Sequence, residues 1–303
     1  MSGKRTLFGQ APAKPGDSGD LPRAQLPLVT QAMAAVDESG GTVSNHDAPS
    51  VLQRLAAASA APVAYQGAGN TMSSMVPAHG PAVEIELTQH TLPNDSIDGR
   101  LVLLGSADSP RAAAFRVLRH HLLEQRRPQV VVVTSPRDGD GKTTTAINLA
   151  LALAECGRAK VLLVDANLRR PQIASVLRVV PPWCFAEQLA AHRHQPMLPW
   201  SLIEIPQLWL HVAAVNLQAK HANLVDAPAF AIALERLRTA KYDHIVIDGP
   251  SVLGGADVNL IQDAADGVVM TLRAGRSNAR DLRAAIDQIT PAKIFGSVLL
   301  DAV

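Results

Sequence analysis

Lys142 and Thr143 have the side chains and the neighbours to handle phosphate. They follow the loop Thr134-Ser135-Pro136-Arg137-Asp138-Gly139-Asp140-Gly141, which leaves the β-branched run Val130-Val131-Val132-Val133 and opens into Thr144-Thr145 and an apolar, helix-forming stretch. Glycines in such a loop let backbone N–H groups turn inward on phosphate oxygens with no side chain in the way. Lys142 then stands where a cation for β- and γ-phosphates belongs, and Thr143 offers a hydroxyl to Mg²⁺. This is a Walker A arrangement with one departure: the first glycine of G-x-x-x-x-G-K-[ST] is Pro136, which has no amide proton. Asp138, Gly139, Asp140, Gly141, Lys142, Thr143 and Thr144 are the expected phosphate-site residues.

Two carboxylates supply the second half of the chemistry. Asp165 closes Val161-Leu162-Leu163-Val164, and Asp248 closes Ile245-Val246-Ile247. In a parallel sheet the carboxyl ends of the strands face one crevice, so both acids and the loop should converge there. An Asp ending a strand also serves as a cap for the next helix, but the three signals together favour a single site.

The elements that would position these residues can be traced from about residue 98. Ser109-Pro110 starts a helix as cap and first-turn proline, with Ala113, Val117, Leu118 and Leu122 as its expected apolar stripe. Buried strands are expected at 129–134, 160–165, 208–213, 244–248, 267–272 and 294–300. Helices are expected at 142–156, closed by Gly157, at 227–239 behind Asp226, and at 278–289 behind Ser277. Strands alternating with amphipathic helices specify an α/β fold with a mostly parallel sheet. Residues 1–97 differ in texture, holding nine of the 21 prolines and nine of the 20 glycines with only Phe8 and Tyr65 as aromatics. That composition buries too little surface to offset its ordering entropy, so it is read as a low-complexity, largely disordered arm. Within it, 51–58 has the pattern of a short helical turn, and 83–87 alternates as an edge strand does. The expected domains are therefore an arm, 1–97, and a nucleotide-binding domain, 98–303.

Charge and composition exclude several functions. Lys and Arg total 28 against 27 for Asp and Glu, a net charge of +1, so no global field favours nucleic acid or an anionic membrane, and any anion site must be local. No apolar run approaches the roughly 18 residues that span a bilayer. The basic start at Met1-Ser2-Gly3-Lys4-Arg5 meets Gly, Pro and Asp too soon for a signal peptide. Two cysteines, Cys156 and Cys184, make neither a disulfide framework nor a four-ligand zinc site, and they read as packing in a cytoplasmic protein. His192-Arg193-His194 reads as a polar loop and His120-His121 as a helix end. Trp183, Trp200 and Trp209 read as a satellite core.

Over about residues 100–302 the sequence resembles the bacterial tyrosine kinases, the BY-kinase family of capsule and exopolysaccharide systems, themselves relatives of the ParA/MinD partition ATPases. The resemblance rests on Ser109-Pro110 with Phe115-Arg116-Val117-Leu118-Arg119, on the loop and helix from Thr134-Ser135-Pro136 to Asn148-Leu149-Ala150, on Val164-Asp165-Ala166-Asn167-Leu168-Arg169-Arg170-Pro171, which is similar to the family's Walker A′ motif, and on Tyr242-Asp243 through Asp248-Gly249-Pro250, similar to its Walker B. It implies a SIMIBI-type P-loop NTPase fold that uses ATP and Mg²⁺. By the same resemblance Lys142 is catalytic, Thr143, Asp165 and Asp248 form the metal site, Asp165 accepts the proton of the attacking hydroxyl, and Arg169 contacts phosphate. The implied partner is a membrane-embedded activator of the polysaccharide chain-length-determinant type that would recruit the chain to the inner membrane. A homo-oligomer is left open.

This chain departs from the family pattern at named positions. The second Walker A′ carboxylate is Asn167, and the assembly motif E-x-x-R-x-x-R reads Ala113, Arg116, Arg119, without its acid. Tyr65 and Tyr242 are the only tyrosines, with no tyrosine cluster after the last strand. Leu300 stands where relatives carry an adenine-contacting Asn, which leaves ATP against GTP open. Two other readings remain: a ParA/MinD-type switch in which Arg137 replaces a lysine reaching across a dimer, and a degenerate nucleotide-binding scaffold of the same polysaccharide machinery.

Overall fold

The computed structural model describes residues 83–93, 97–125, 127–155, 157, 159–216, 227–289 and 294–301. Eight strands form one sheet: β1 (Ile85–Gln89), β2 (Val130–Thr134), β3 (Val161–Asp165), β4 (Trp200–Ile205), β5 (Leu210–Ala213), β6 (His244–Asp248), β7 (Gly267–Arg273) and β8 (Ile294–Leu300), in the order β1-β4-β5-β3-β6-β2-β7-β8. Every pairing is parallel except β4 with β5. The helices are α1 (Val102–Gly105), α2 (Pro110–Gln125), α3 (Lys142–Ala154), α4 (Ile173–Leu177), α5 (Phe185–His194), α6 (Ala227–Thr239), α7 (Asp257–Asp263) and α8 (Ala279–Ile289). Among the described residues no helix is long and apolar enough to cross a membrane.

The continuous Val and Leu runs of β2 and β3 are explained by burial on both faces, as a parallel sheet covered by helices requires. The pleat divides them. Val131, Val133, Val161 and Leu163 pack with α1, α2 and α3, while Val130, Val132, Leu162 and Val164 face the core built with α5, α6 and α8. Each fully buried aliphatic side chain contributes about 2 kcal/mol, so the site-bearing strands sit in the most strongly anchored part of the fold. Asn148 fixes α3 to the chain before it: its carboxamide accepts from Leu103 N at 3.2 Å and donates to Arg100 O at 2.7 Å.

Several expectations are corrected here. The α2 stripe is Ala112, Phe115, Leu118 and Leu122, whereas Ala113 is exposed and Val117 is 44% exposed. The helix is rotated from the expected phase because Phe115, the bulkiest apolar residue, takes the core position. The helix also runs on past His120-His121, which lie in its body and not at its end. His192-Arg193-His194 is no loop but the last turn of α5, where the His192 ring is buried and stacks on Trp200 at 3.8 Å. The three tryptophans do not form one core: Trp200 is buried in β4, and Trp209 is 45% exposed. The strand expected at 208–213 starts at Leu210, after a 3-10 turn at Pro206–Leu208, and β4 was not expected at all. α8 is capped by Asn278, whose side chain accepts from Asp281 N at 2.8 Å, while the Ser277 hydroxyl accepts from Arg273 N.

The alternating stretch before residue 98 joins the sheet as edge strand β1, in register Ile85↔Trp200 with β4, so the sheet takes in residues from the stretch read as arm. Residues 1–82 and 94–96 of that stretch, with Tyr65 and 51–58, as well as Cys156 and Asp226, lie outside the described residues.

Candidate active site

Three strands deliver the site. β2 feeds the phosphate loop, β3 ends in Asp165, and β6, hydrogen-bonded between them, ends in Asp248. The register pairs Asp165 directly with Asp248, so the expected convergence at one sheet edge is met. Cross-bonds fix the loops to one another: Gly249 N donates to Val133 O at 2.9 Å, Thr134 Oγ1 to Pro250 O at 2.6 Å, and Val252 N to Ser135 O at 2.9 Å.

The phosphate loop takes the shape its glycines permit. Gly139 and Gly141 have φ of 87° and 93°, in the left-handed region. A Cβ on Gly139 would fall 2.7 Å from Arg276 Nη2, and one on Gly141 would collide with Leu300 Cδ1. Gly141 is also the N-cap of α3 and has no side chain to occupy the first-turn amides, which therefore stay free for an anion. Asp140 is buried and accepts from Arg137 N at 3.1 Å, and Ser135 Oγ donates to Arg137 O at 2.6 Å, closing the loop's first half.

Lys142 is 5% exposed and Thr143 is buried beside it. The Thr143 hydroxyl donates to Asp248 Oδ2 at 2.6 Å. The other oxygen, Oδ1, is buried without a hydrogen-bond partner among the described residues, an acceptor that is expensive to leave bare and suited to a hard cation. Asp165 is also fully buried. Its oxygens accept from Asn167 N at 3.3 Å and Ile173 N at 3.2 Å, which fixes the carboxyl against the turn that follows β3. Burial pushes Asp165 well above the usual carboxylate range and the neighbouring Asp248 charge pushes it further. Burial raises Asp248 to about 6, held back by the Thr143 hydrogen bond and the Lys142 charge. Two adjacent buried acids resist double ionisation and invite a divalent cation. No group of three or more His, Cys, Asp or Glu side chains that could hold a metal occurs among the described residues, so the cation donors here are two carboxylates and a hydroxyl. The bare Asp248 oxygen and the side-chain-free glycine cradle fit a magnesium–nucleotide.

A cavity of about 280 Å³ opens beside Gly141 and Thr144, walled by Pro110, Phe115, Leu118, Val298 and Leu300, with Arg111, Arg273 and Asp301 contributing polar groups. Its apolar walls suit the faces of a nucleobase.

Other residues take places that sequence reasoning did not give them. Arg169 pairs with Asp257 of α7 at 3.1 Å, whereas its neighbour Arg170 reaches Asp138 at 3.5 Å. Arg137 is held by Asp281 of α8, with contacts of 2.5 and 3.0 Å. Arg276 donates to Asp138 O at 3.1 Å. These partners are separated from the loop by more than 25 residues in sequence, so no local spacing marks them. Arg116 and Arg119, the arginines of the incomplete assembly motif, both meet Glu155 at the end of α3, at 2.7 and 3.0 Å, so their acid comes from within the same chain. Tyr242 is packing: it is 2% exposed and its hydroxyl is 2.8 Å from His211 Nδ1.

Comparison with known proteins follows the same lines. Residues 128–292 match the family described as AAA domain. The chain is 28% identical over 188 residues to the tyrosine-protein kinase YwqD of Bacillus subtilis, covering 57% of this chain and 73% of YwqD. It is 25% identical over 205 residues to the succinoglycan biosynthesis transport protein ExoP of Rhizobium meliloti, covering 63% of this chain and only a quarter (25%) of ExoP. Among solved structures, the chimerical protein CapA2B2 superposes with a TM-score of 0.59 at 25% identity, over 70% of this chain and 95% of that one.

Proposed function

The chain belongs to the AAA domain family, and from that premise we propose that it is an ATP-dependent phosphotransferase of the bacterial tyrosine kinase kind, serving capsule or exopolysaccharide synthesis. The observation that carries this reading is the Thr143–Asp248 hydrogen bond of 2.6 Å with Asp165 paired alongside and Lys142 in the same buried crevice. Phosphoryl transfer needs positioning and charge neutralisation more than covalent help, and these residues provide both.

When bound, Mg²⁺ supplies charge neutralisation at the phosphates. The α3 amides and the Lys142 ammonium hold the phosphate oxygens, Thr143 Oγ1 and the Asp248 carboxylate hold the cation with Asp165 beside them, and the cavity at Leu300 takes the nucleoside. Asp165 binds a proton more tightly than a surface carboxyl does, which suits it to accept the proton of an attacking hydroxyl. Tyr242 does not supply that attacking hydroxyl, because its own is engaged with His211 inside the fold. The accepting tyrosine is therefore sought on another protein or outside the described residues. A membrane-embedded activator of polysaccharide chain length is the partner we assign, in keeping with the transport role in the name of ExoP, and the chain works on the cytoplasmic side.

Asn167 in place of a second Walker A′ acid favours one other reading, a nucleotide-binding scaffold with little turnover. Incubation of the purified chain with γ-labelled ATP and candidate membrane activators separates these readings and that of a nucleotide switch. Label on tyrosine that disappears in Lys142→Met supports the kinase. Free phosphate alone points to a switch, and binding without turnover points to the scaffold.

A further inference from the structure

The phosphate loop contains a carboxylate where its cations should meet phosphate. Asp138 lies 41% exposed at the top of the loop, with Oδ1 3.1 Å from Lys142 Nζ and Oδ2 3.5 Å from a guanidinium nitrogen of Arg170. One oxygen thus takes the loop lysine and the other takes an arginine from the turn after β3, the same turn that follows Asp165. That turn is set by Arg170 N donating to Asn167 O at 3.0 Å. Arg170 is 71% exposed, and among the described residues its guanidinium makes no other ion pair or hydrogen bond. Arg169, the nearer match to a phosphate ligand in sequence, is already committed to Asp257.

A carboxylate bridging two cations, one at the start of α3 and one in the turn after β3, marks a point where the fold stabilises negative charge. Terminal phosphate is the anion that the adjoining amides and lysine are built to receive, and it would carry more charge to that point than one carboxylate does. Both anions cannot share two cations without strong like-charge repulsion. We propose that Arg170 is a binding residue for the terminal phosphate of a nucleoside triphosphate, and that the Asp138 carboxylate is an internal anion competing with that phosphate for Lys142 and Arg170. The nucleotide must turn Asp138 aside, which releases Arg170 onto the γ-phosphate. A diphosphate does not reach Arg170, so the pair makes the site sense whether the third phosphate is there. Burial acts against ionisation of Asp138, but Lys142, Ser251 and Arg170 outweigh it and hold the carboxyl below its ordinary range, so the competing anion is charged at neutral pH.

This inference rests on the reading of the site as nucleotide-binding, and the experiment keeps the two apart. Calorimetric titration of the full chain with AMP-PNP and with ADP, each with Mg²⁺, is carried out on wild type, Arg170→Ala, Arg170→Lys and Asp138→Asn, with thermal melting to establish folding. Arg170→Ala is expected to weaken AMP-PNP by about 5- to 20-fold, the worth of one solvent-exposed charge-assisted contact, and to leave ADP within about twofold. Arg170→Lys recovers part of the loss, and Asp138→Asn tightens AMP-PNP more than ADP. Equal effects on both nucleotides, or AMP-PNP affinity unchanged in Arg170→Ala and Asp138→Asn, overturn the inference while the nucleotide site stands. Wild type that binds neither nucleotide overturns the site itself and the inference with it.

Discussion

Replacing Asp248 by Asn should stabilise the protein at alkaline pH, and by more the higher the pH. Asp248 is fully buried and its carboxyl is raised to about 6 against 3.8 for the free group. A raised carboxyl binds protons more tightly folded than unfolded, so its stabilising contribution is complete below pH 3.8 and is lost as pH climbs through 6. From those two values the ionised group costs about 1 kcal/mol at pH 4.5 and about 3 kcal/mol at pH 8. The carboxamide is nearly isosteric. Its oxygen keeps the hydrogen bond from Thr143, and it places no ionised group in the buried crevice. For a domain of this size about 3 kcal/mol corresponds to about 6–12 °C in melting temperature. Differential scanning calorimetry of wild type and Asp248→Asn without divalent cations, at pH 4.5 and 8, measures it. A variant that melts below wild type at pH 8, or a difference identical at the two pH values, refutes the reasoning.

Three further outcomes are expected. Glu155→Gln removes the shared acid of Arg116 and Arg119, both about a third exposed, and should lower stability by about 1–2 kcal/mol in urea denaturation, with less effect at high salt. Gly141→Ala places a methyl against Leu300 at a left-handed φ, and should abolish nucleotide binding by calorimetry while lowering stability by about 1–2 kcal/mol. Tyr242→Phe breaks the bond to His211 and should cost about 1–2 kcal/mol yet leave tyrosine labelling with γ-labelled ATP intact; loss of labelling in a folded variant would make Tyr242 the acceptor after all.

What could be read in the sequence was whatever short-range pattern encodes. Strands buried on both faces appear as Val130-Val131-Val132-Val133 and Val161-Leu162-Leu163-Val164, and the strand-end acids follow from them. The Lys142–Thr143 loop is legible because left-handed backbone and free amides demand glycine locally. Helix phase was less legible: in α2 the Ala-rich run Ala112-Ala113-Ala114 has no contrast, and only packing of Phe115 decides which face is inward. β4 was missed because its Trp200-Ser201-Leu202-Ile203-Glu204-Ile205 stretch follows Pro196 and Pro199 and sits in what reads as an insertion; pairing with β1 and β5 makes it a strand. The ionic partners of the site arginines, Asp138, Asp257, Asp281 and Glu155, were hidden for a different reason. Asp138 lies on a loop, Asp257 and Asp281 in the first turns of α7 and α8, and Glu155 at the end of α3, and only the tertiary fold brings each to its arginine.

The central claim is that three stretches far apart in the chain make one pocket for a triphosphate and its cation. Anomalous diffraction from crystals grown with Mn²⁺ and AMP-PNP tests it directly. The account predicts a manganese peak within coordination distance of both Thr143 Oγ1 and the Asp248 carboxylate, with the nucleotide's phosphates on the α3 amides. A peak bound elsewhere, or a nucleotide lying away from Lys142, would contradict it.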